Sequence, residues 1–375
     1  MKSQRTSIEL FTGAGGLALG LEQSGWRHSA LIERNEHACS TIHLNESLGH
    51  PLAQRWRLYS DDVRSISYAD FTEPIDMVAG GPPCQPFSLA GKHHAYRDAR
   101  DMFPEAVRAV RELRPQCFVF ENVKGLLRQS FASYFHYIVL QLTYPTLVRK
   151  SAEDWEAHLS RLERRHTGAK EDDLAYRVVY RLLDAADYGV PQHRHRVFIV
   201  GFRSDLQTEW SFPSPTHSLD RLLWEQWITG EYWEEHRIPK KLRPAKSERQ
   251  AARIDRLQAD FRLFSPPGKR CRTVRDALRG LPNPQDKCNV VANHEFRAGA
   301  RPYPGHTGSA LDAPSKALKD GACRYYTVRE SARIQTFPDN YVFSGSWTEA
   351  MRQIGNAVPV ALATAVGDSI LKQVA

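Results

Sequence analysis

The sequence predicts a large α/β domain, an open sheet with helices on both faces, and a smaller domain of irregular structure in its later half. Three observations predict it. Short apolar runs recur that end abruptly in glycine or an acidic residue; the first of them opens a glycine loop and an apolar helix; and between Phe202 and Arg324 the periodicity fades into Pro, Trp and Arg. At 375 residues and 41% hydrophobic content the chain can bury a sizeable core. No run of 18 apolar residues occurs and the N-terminal residues show no signal-peptide apolar region, which predicts a cytosolic protein without a membrane partner. Its six cysteines show no C-x-x-C spacing, and no histidine pair stands at a zinc-like interval, so free thiols and no metal are expected.

In chain order, Ser7–Phe11 reads as a first strand and Thr12–Leu21 as a glycine loop opening a helix. Gly13, Gly15 and Ala18 fit the G-x-G-x-x-G/A fingerprint, and Glu33 follows a second strand, Ser29–Ile32, 20 residues beyond Gly13. Glycines let the backbone approach a ligand, and the acid can accept both ribose hydroxyls; the pattern leaves NAD and S-adenosylmethionine open. Asp61 and Asp62 end a third strand, where a carboxylate can accept an adenine amino group or cap the next turn. Ile75–Ala79 is a buried strand, and Gly80–Ser88 (GGPPCQPFS) follows it. Cys84 thus sits where a strand becomes a loop, the place where ligands gather in open α/β sheets. Three prolines stiffen its surroundings, which a merely buried, inert thiol does not need. Ser88–Asp101 is polar and basic and reads as a lid over the cysteine, with a helix over Met102–Leu113.

The strand Pro115–Phe120 ends at Glu121, which puts a carboxyl group on the rim that carries Cys84. Gly125–Tyr176 holds two helical stretches, Phe131–Leu142 and Ala152–Arg165, and no visible chemistry. Strands follow at Tyr176–Leu183 and Val197–Val200. Between them Arg194 and Arg196 face one side and His193 and His195 the other, with no third ligand to suggest a metal. The domain boundaries predicted are 1–201 with 325–375 for the first domain and 202–324 for the second. The net charge is +8, and Lys240–Arg279 alone carries 13 Lys or Arg against 4 Asp or Glu, suited to a polyanion or to a solvated helix face. Thr327 and Glu330 form a capping box that restarts a helix, and Gln353–Pro359 precedes a last apolar helix, Val360–Val374.

With these motifs in order, the chain resembles the cytosine-C5 DNA methyltransferases. The resemblance rests on the glycine loop from Phe11 to Leu17, Glu33, Asp62, Pro83-Cys84-Gln85, Glu121-Asn122-Val123, Gln192-x-Arg194-x-Arg196, Arg329-Glu330-x-Ala332-Arg333-x-Gln335 and Gly355-Asn356-Ala357-Val358. It implies a Rossmann-like sheet that binds S-adenosylmethionine, leaves S-adenosylhomocysteine, and uses no metal, with a target-recognition domain at 202–324. It also implies site residues. Cys84, Glu121 and Arg194 are catalytic; Phe11, Gly13, Ala14, Gly15, Gly16, Leu17, Glu33, Asp62, Val63, Gly81, Pro83, Asn356 and Ala357 hold the methyl donor; Gln85, Ser88, Arg100 and Arg196 meet DNA. The implied partner is double-stranded DNA, met by a monomeric bacterial enzyme in the cytoplasm, with a cognate restriction endonuclease as functional partner. A tRNA cytosine-C5 methyltransferase shares the catalytic motifs but lacks so large a recognition segment. Two departures stand out: Arg34 follows Glu33 where many relatives carry an apolar or aromatic side chain, and Gly125–Tyr176 is longer than in compact members.

Overall fold

The computed structural model describes residues 4–83, 101–168, 174–261, 264–286, 288, 290–300 and 323–374. Cys84, Gln85, Ser88 and Arg100, and the expected lid, lie outside the described residues. The chain forms two compact units, one of Met1–Leu183, His195–Phe212 and Asn340–Ala375, the other of Asp184–Arg194 and Pro213–Asp339. The second unit therefore takes in 184–194 and 325–339, which the sequence boundaries place in the first domain.

The first unit runs β1 (Thr6–Leu10), α1 (Gly16–Gln23), β2 (Arg27–Ile32), α2 (Glu36–Ser47), β3 (Leu58–Tyr59), β4 (Met77–Gly80), α3 (Phe103–Leu113), β5 (Cys117–Val123), α4 (Ala132–Thr143), α5 (Trp155–Thr167), β6 (Tyr176–Asp184) and β7 (His195–Arg203). These strands make one seven-stranded sheet in the order β3-β2-β1-β4-β5-β7-β6. Neighbours from β3 to β5 are parallel, and β7 runs antiparallel to β5. Strand order reverses beside β1, which has β2 on one side and β4 on the other; crevices for ligands open at such a switch point.

Alternation along the strands decides which face each side chain reaches. Ile8 and Leu10 of β1, Val78 of β4, Phe118 and Phe120 of β5 and Val197 and Ile199 of β7 share one core with α3, α4 and α5 through Phe103, Val110, Ile138 and Leu162. The intervening residues of β1 turn to the other face, where His28 joins Ser7 Oγ (2.9 Å) to the Ala18 carbonyl of α1 (3.1 Å).

In the second unit come β8 (His217–Ser218), α6 (Leu219–Trp227), α7 (Glu231–Glu235), α8 (Glu248–Asp260), β9 (Lys269–Arg270), α9 (Val274–Leu278), β10 (Ala298–Ala300), β11 (Cys323–Arg324) and α10 (Val328–Ile334). Tyr232, Trp233, Leu222 and Cys271 form one small core and Leu223, Ile254 and Leu257 another. This unit has more helix than its composition predicts. Side-chain caps at Ser218, Ser247 and Thr273 start α6, α8 and α9 where hydrophobic periodicity is weak.

The chain then returns to the first unit with α11 (Trp347–Asn356) and α12 (Val360–Val374). Trp347–Val374 is apolar and long enough to cross a membrane by length and composition, but α12 buries Leu362, Ala363, Val366 and Ile370 and packs on α1 as a core helix.

Candidate active site

The parallel register aligns Ile32, Leu10, Gly80 and Phe120 in one row across β2, β1, β4 and β5. One residue further on each strand stand Glu33, Phe11, Gly81 and Glu121, and all four line a cavity of about 830 Å³ at the sheet's carboxyl edge. Residues separated by up to 110 positions meet because parallel strands present the same end to the same side.

The glycine loop forms one wall. Gly13 and Gly15 have φ of +57° and +83°, a region that side chains with a Cβ rarely enter. A Cβ on Gly13 meets nothing within 4 Å, whereas on Gly15 it meets the Tyr341 hydroxyl at 3.1 Å and the Trp56 ring at 3.2 Å. The front of the loop is thus open to a ligand and its back is packed. Tyr341, fully buried, donates from its hydroxyl to the Ala14 carbonyl (2.9 Å) and fixes the loop from behind. Phe11 also has positive φ, +57°, so its ring leaves the strand alternation and packs against the core shared with α3.

Glu33 accepts hydrogen bonds from the Gly13 and Asn35 amides, 2.7 Å each, one on each oxygen. The carboxylate is thereby locked to the loop with lone pairs left over for hydroxyl donors. Asp62 is the cap that the sequence offers as one of its two readings, and it also faces the cavity. It caps the short turn Val63–Ser65 by accepting from Arg64 N–H at 3.0 Å. Hydrogen bonds from the Arg64 side chain above all, and from Arg34, hold it well below the usual carboxylate range. Arg34, the departure from the family pattern, is therefore a partner of Asp62 at 3.1 Å.

Glu121 lies within β5, opposite Phe198 of β7, in the closing Glu121-Asn122-Val123 stretch where the sequence places the strand's end. Its Oε1 is 2.7 Å from Nε of Arg196, itself inside β7, and its Oε2 faces Gly81, where a Cβ falls 3.5 Å away. The antiparallel pairing of β5 and β7 continues past their apolar stretches and carries both residues into the ladder. Arg196, expected on DNA, is thus an ion-pair partner of Glu121. Ala14, Gly16, Leu17, Val63, Pro83, Asn356 and Ala357 also line the cavity; Gly15, behind the loop, does not. Arg194 belongs to the second unit, where its amide donates to Asp184 (3.0 Å) and His193 Nδ1 pairs with the same carboxylate (2.6 Å). That pairing, which raises the His193 pKa, engages one of the two histidines.

One residue on this cavity escaped the sequence reading, and another entered it only within a motif, without a role. Glu9 lies on the cavity floor, 1% exposed, and burial raises its pKa well above the ordinary value. Asn122 donates its amide to the Pro82 carbonyl (2.9 Å) and holds the Pro82-Pro83 turn against β5. The only signal for Glu9 was an acid inside an apolar strand.

A family model, C-5 cytosine-specific DNA methylase, matches residues 5–144 and 158–372. The chain belongs to that family. The methylase is 31% identical over 373 residues to the type II methyltransferase M.NgoMIV of Neisseria gonorrhoeae, covering 98% of each chain. It is 32% identical over 386 residues to M.Eco47II of Escherichia coli, covering 98% of this chain and 78% of that one, and 31% identical over 385 residues to M.PspPI of Psychrobacter sp. (strain TA137), covering 97% and 78%. Among solved structures, the S. pombe Dnmt2 methyltransferase superposes with a TM-score of 0.53 at 16% identity over 99% of both chains, which shows the shared fold. The protein is accordingly a DNA (cytosine-5-)-methyltransferase of the type II kind, and methyltransferases of this family use S-adenosylmethionine.

Proposed function

We propose that the cavity at the sheet edge is where this methyltransferase brings the methyl donor and an extruded cytosine together, with Cys84 as the nucleophile. The observation that carries this reading is the convergence of the glycine loop, Glu33, Asp62, Gly81, Pro83 and Glu121 on one cavity. Cys84 is the residue after Pro83.

The residues present fit S-adenosylmethionine. Gly13 leaves open space for a close backbone contact, Glu33 offers acceptors to ribose hydroxyls, and Asp62 offers one to the adenine amine, with Phe11, Val63, Asn356 and Ala357 around them. When bound, this donor supplies an electrophilic methyl group. Cytosine C5 is too weak a nucleophile to accept it, so a thiolate from Cys84 adds to C6 and makes C5 enamine-like. Arg194 favours the thiolate form of Cys84. Glu121, steadied by Arg196, holds N3 and the exocyclic amine and offsets the charge that develops on the ring. Loss of the C5 proton to a base and departure of the Cys84 sulfur from C6 restore the aromatic ring.

Because the ring is stacked in duplex DNA, the target cytosine must leave the helix at a cost of a few kcal/mol. We assign segment 202–324 to target recognition and Gln85, Ser88 and Arg100 to DNA contacts. The setting is the bacterial cytoplasm, where a monomer modifies double-stranded DNA and a restriction endonuclease is its functional counterpart. The tRNA reading has less support, since the family model and the curated relatives named above are DNA or type II enzymes.

Duplex DNA carrying 5-fluorocytosine tests the nucleophile, because fluorine cannot leave as a cation and the adduct persists. The wild-type chain with S-adenosylmethionine should form a covalent complex resistant to denaturation, and Cys84→Ser should form none. An adduct with Cys84→Ser removes Cys84 from the role.

A further inference from the structure

We propose that Tyr134 is a positioning residue for methyl transfer, acting through Asp101 on the chain that carries Cys84. Tyr134 stands in the first turn of α4, is 8% exposed, and donates its hydroxyl to Oδ2 of Asp101. The other carboxylate oxygen of Asp101 accepts from the Phe103 amide (3.2 Å), the first residue of α3. Next to it, the Met102 amide donates to the carbonyl of Pro83 (3.1 Å). The residue before Cys84 is therefore fastened to the residue after Asp101. Pro82 is held independently by Asn122 from β5. Tyr134 ties this fastening to a helix pair none of whose described residues lines the cavity.

The helix pair is built to hold the phenol still. The ring of Tyr134 meets Trp155 edge-on at 6.3 Å and Tyr137 at 6.1 Å. Tyr137 shares a hydrogen bond with His158 Nδ1 (2.8 Å), whose Nε2 meets the Leu147 carbonyl (2.7 Å), and Arg161 braces the turn through Glu153 (2.7 Å). Trp155 falls in residues 145–157, which the family model does not match. A hydroxyl donating to a carboxylate in a largely buried place is a strong, directional contact. It gives segment 125–176 a role in the reaction that its sequence does not show.

The inference rests on Cys84 being the nucleophile, and the test separates the two ideas. The rate of adduct formation on 5-fluorocytosine duplex, single-turnover methyl transfer, S-adenosylmethionine Kd and Tm are measured together. Tyr134→Phe should slow both rates about tenfold, the scale of one charge-assisted hydrogen bond, with Kd and Tm unchanged. Asp101→Ala, which also gives up the bond from the Phe103 amide, should slow both rates at least as much, and the double variant should be no slower than Asp101→Ala alone, because the Tyr134 contribution is already lost with the carboxylate. Asp101→Asn, which keeps an acceptor for the phenol, should recover most of the rate. Unchanged rates in Tyr134→Phe, multiplicative losses in the double variant, or a slow rate matched by a fall in Tm would each overturn the proposal. If Cys84→Ser gives no adduct while Tyr134→Phe reacts normally, the nucleophile stands and only this inference fails.

Discussion

His28 and Glu9 sit 4.0 Å apart with almost no solvent contact. They are not an ion pair above about pH 4, because burial pushes the His28 pKa down to about 4 and leaves its ring neutral, while burial also pushes the Glu9 pKa up. The consequence for stability has a definite sign. An unfolded histidine takes up a proton as pH falls through about 6.5, while native His28 refuses one until about 4, so stability that is complete above 6.5 is lost progressively down to 4. The loss is roughly 3 kcal/mol over that window. Glu9 acts oppositely, since the folded chain keeps a proton that the unfolded chain releases as pH rises past the usual carboxylate range. Urea unfolding at pH 7.5 and pH 4.5 checks the first effect: His28→Gln should shrink the stability difference between the two, and an unchanged difference clears His28 of it. Among cavity-lining residues, the sequence singled out those with a motif around them, such as Glu33 and Glu121. Glu9, His28 and Tyr341 carry no such pattern. Their roles come from side chains meeting across distant segments, as when Tyr341 reaches Ala14.

Where α1 crosses α12, a Cβ on Gly20 would lie 2.3 Å from Cβ of Ala363 and 2.7 Å from the Val360 carbonyl, inside any tolerable contact. Backbone and side chain both obstruct it, so Gly20→Ala should destabilise the protein by about 1–3 kcal/mol in a urea titration despite alanine's better helix propensity. Pairing it with Ala363→Gly should restore only part, because the Val360 carbonyl still stands in the way; a neutral Gly20→Ala would mean the helices slide apart freely. Elements with strong periodicity were legible: the last helix was predicted at Val360–Val374, where it lies, and the Thr327 cap opens α10 with its Glu330 partner. Strand limits at β5 and β7 were not, because hydrogen bonds between antiparallel neighbours extend a ladder regardless of side-chain polarity. The helices α6 to α9 were missed because α7 and α9 are only five residues long and α6 and α8 bury only a narrow apolar face.

At the scale of the molecule, part of the basic surplus between Lys240 and Arg279 is spent internally. Arg253 pairs with Asp220, and Arg270 and Arg279 with Glu235. Lys240, Lys241 and Arg249 stay exposed. If they meet phosphates, changing all three to Gln should weaken DNA binding about equally for cognate and unrelated duplexes and flatten the salt dependence of log K by up to about 2.7. A slope that does not move takes this surface out of the DNA contact. Fading periodicity suggested a second domain at 202–324, whereas the compact units group 184–194 and 325–339, which carry motif residues, with the second unit.

The packing of α12 on α1 also has a consequence in time. Trp26 donates its indole N–H to the carbonyl of Gly367, 341 residues later, so α1 is completed by a helix made much later. At ordinary translation speed that interval is roughly 20–70 s. During it, the apolar face of α1 waits without its partner while the whole second unit emerges. The nascent chain therefore carries this exposed seam while 341 further residues are made, which makes this fold one whose yield in the cell depends on what shields that seam during synthesis.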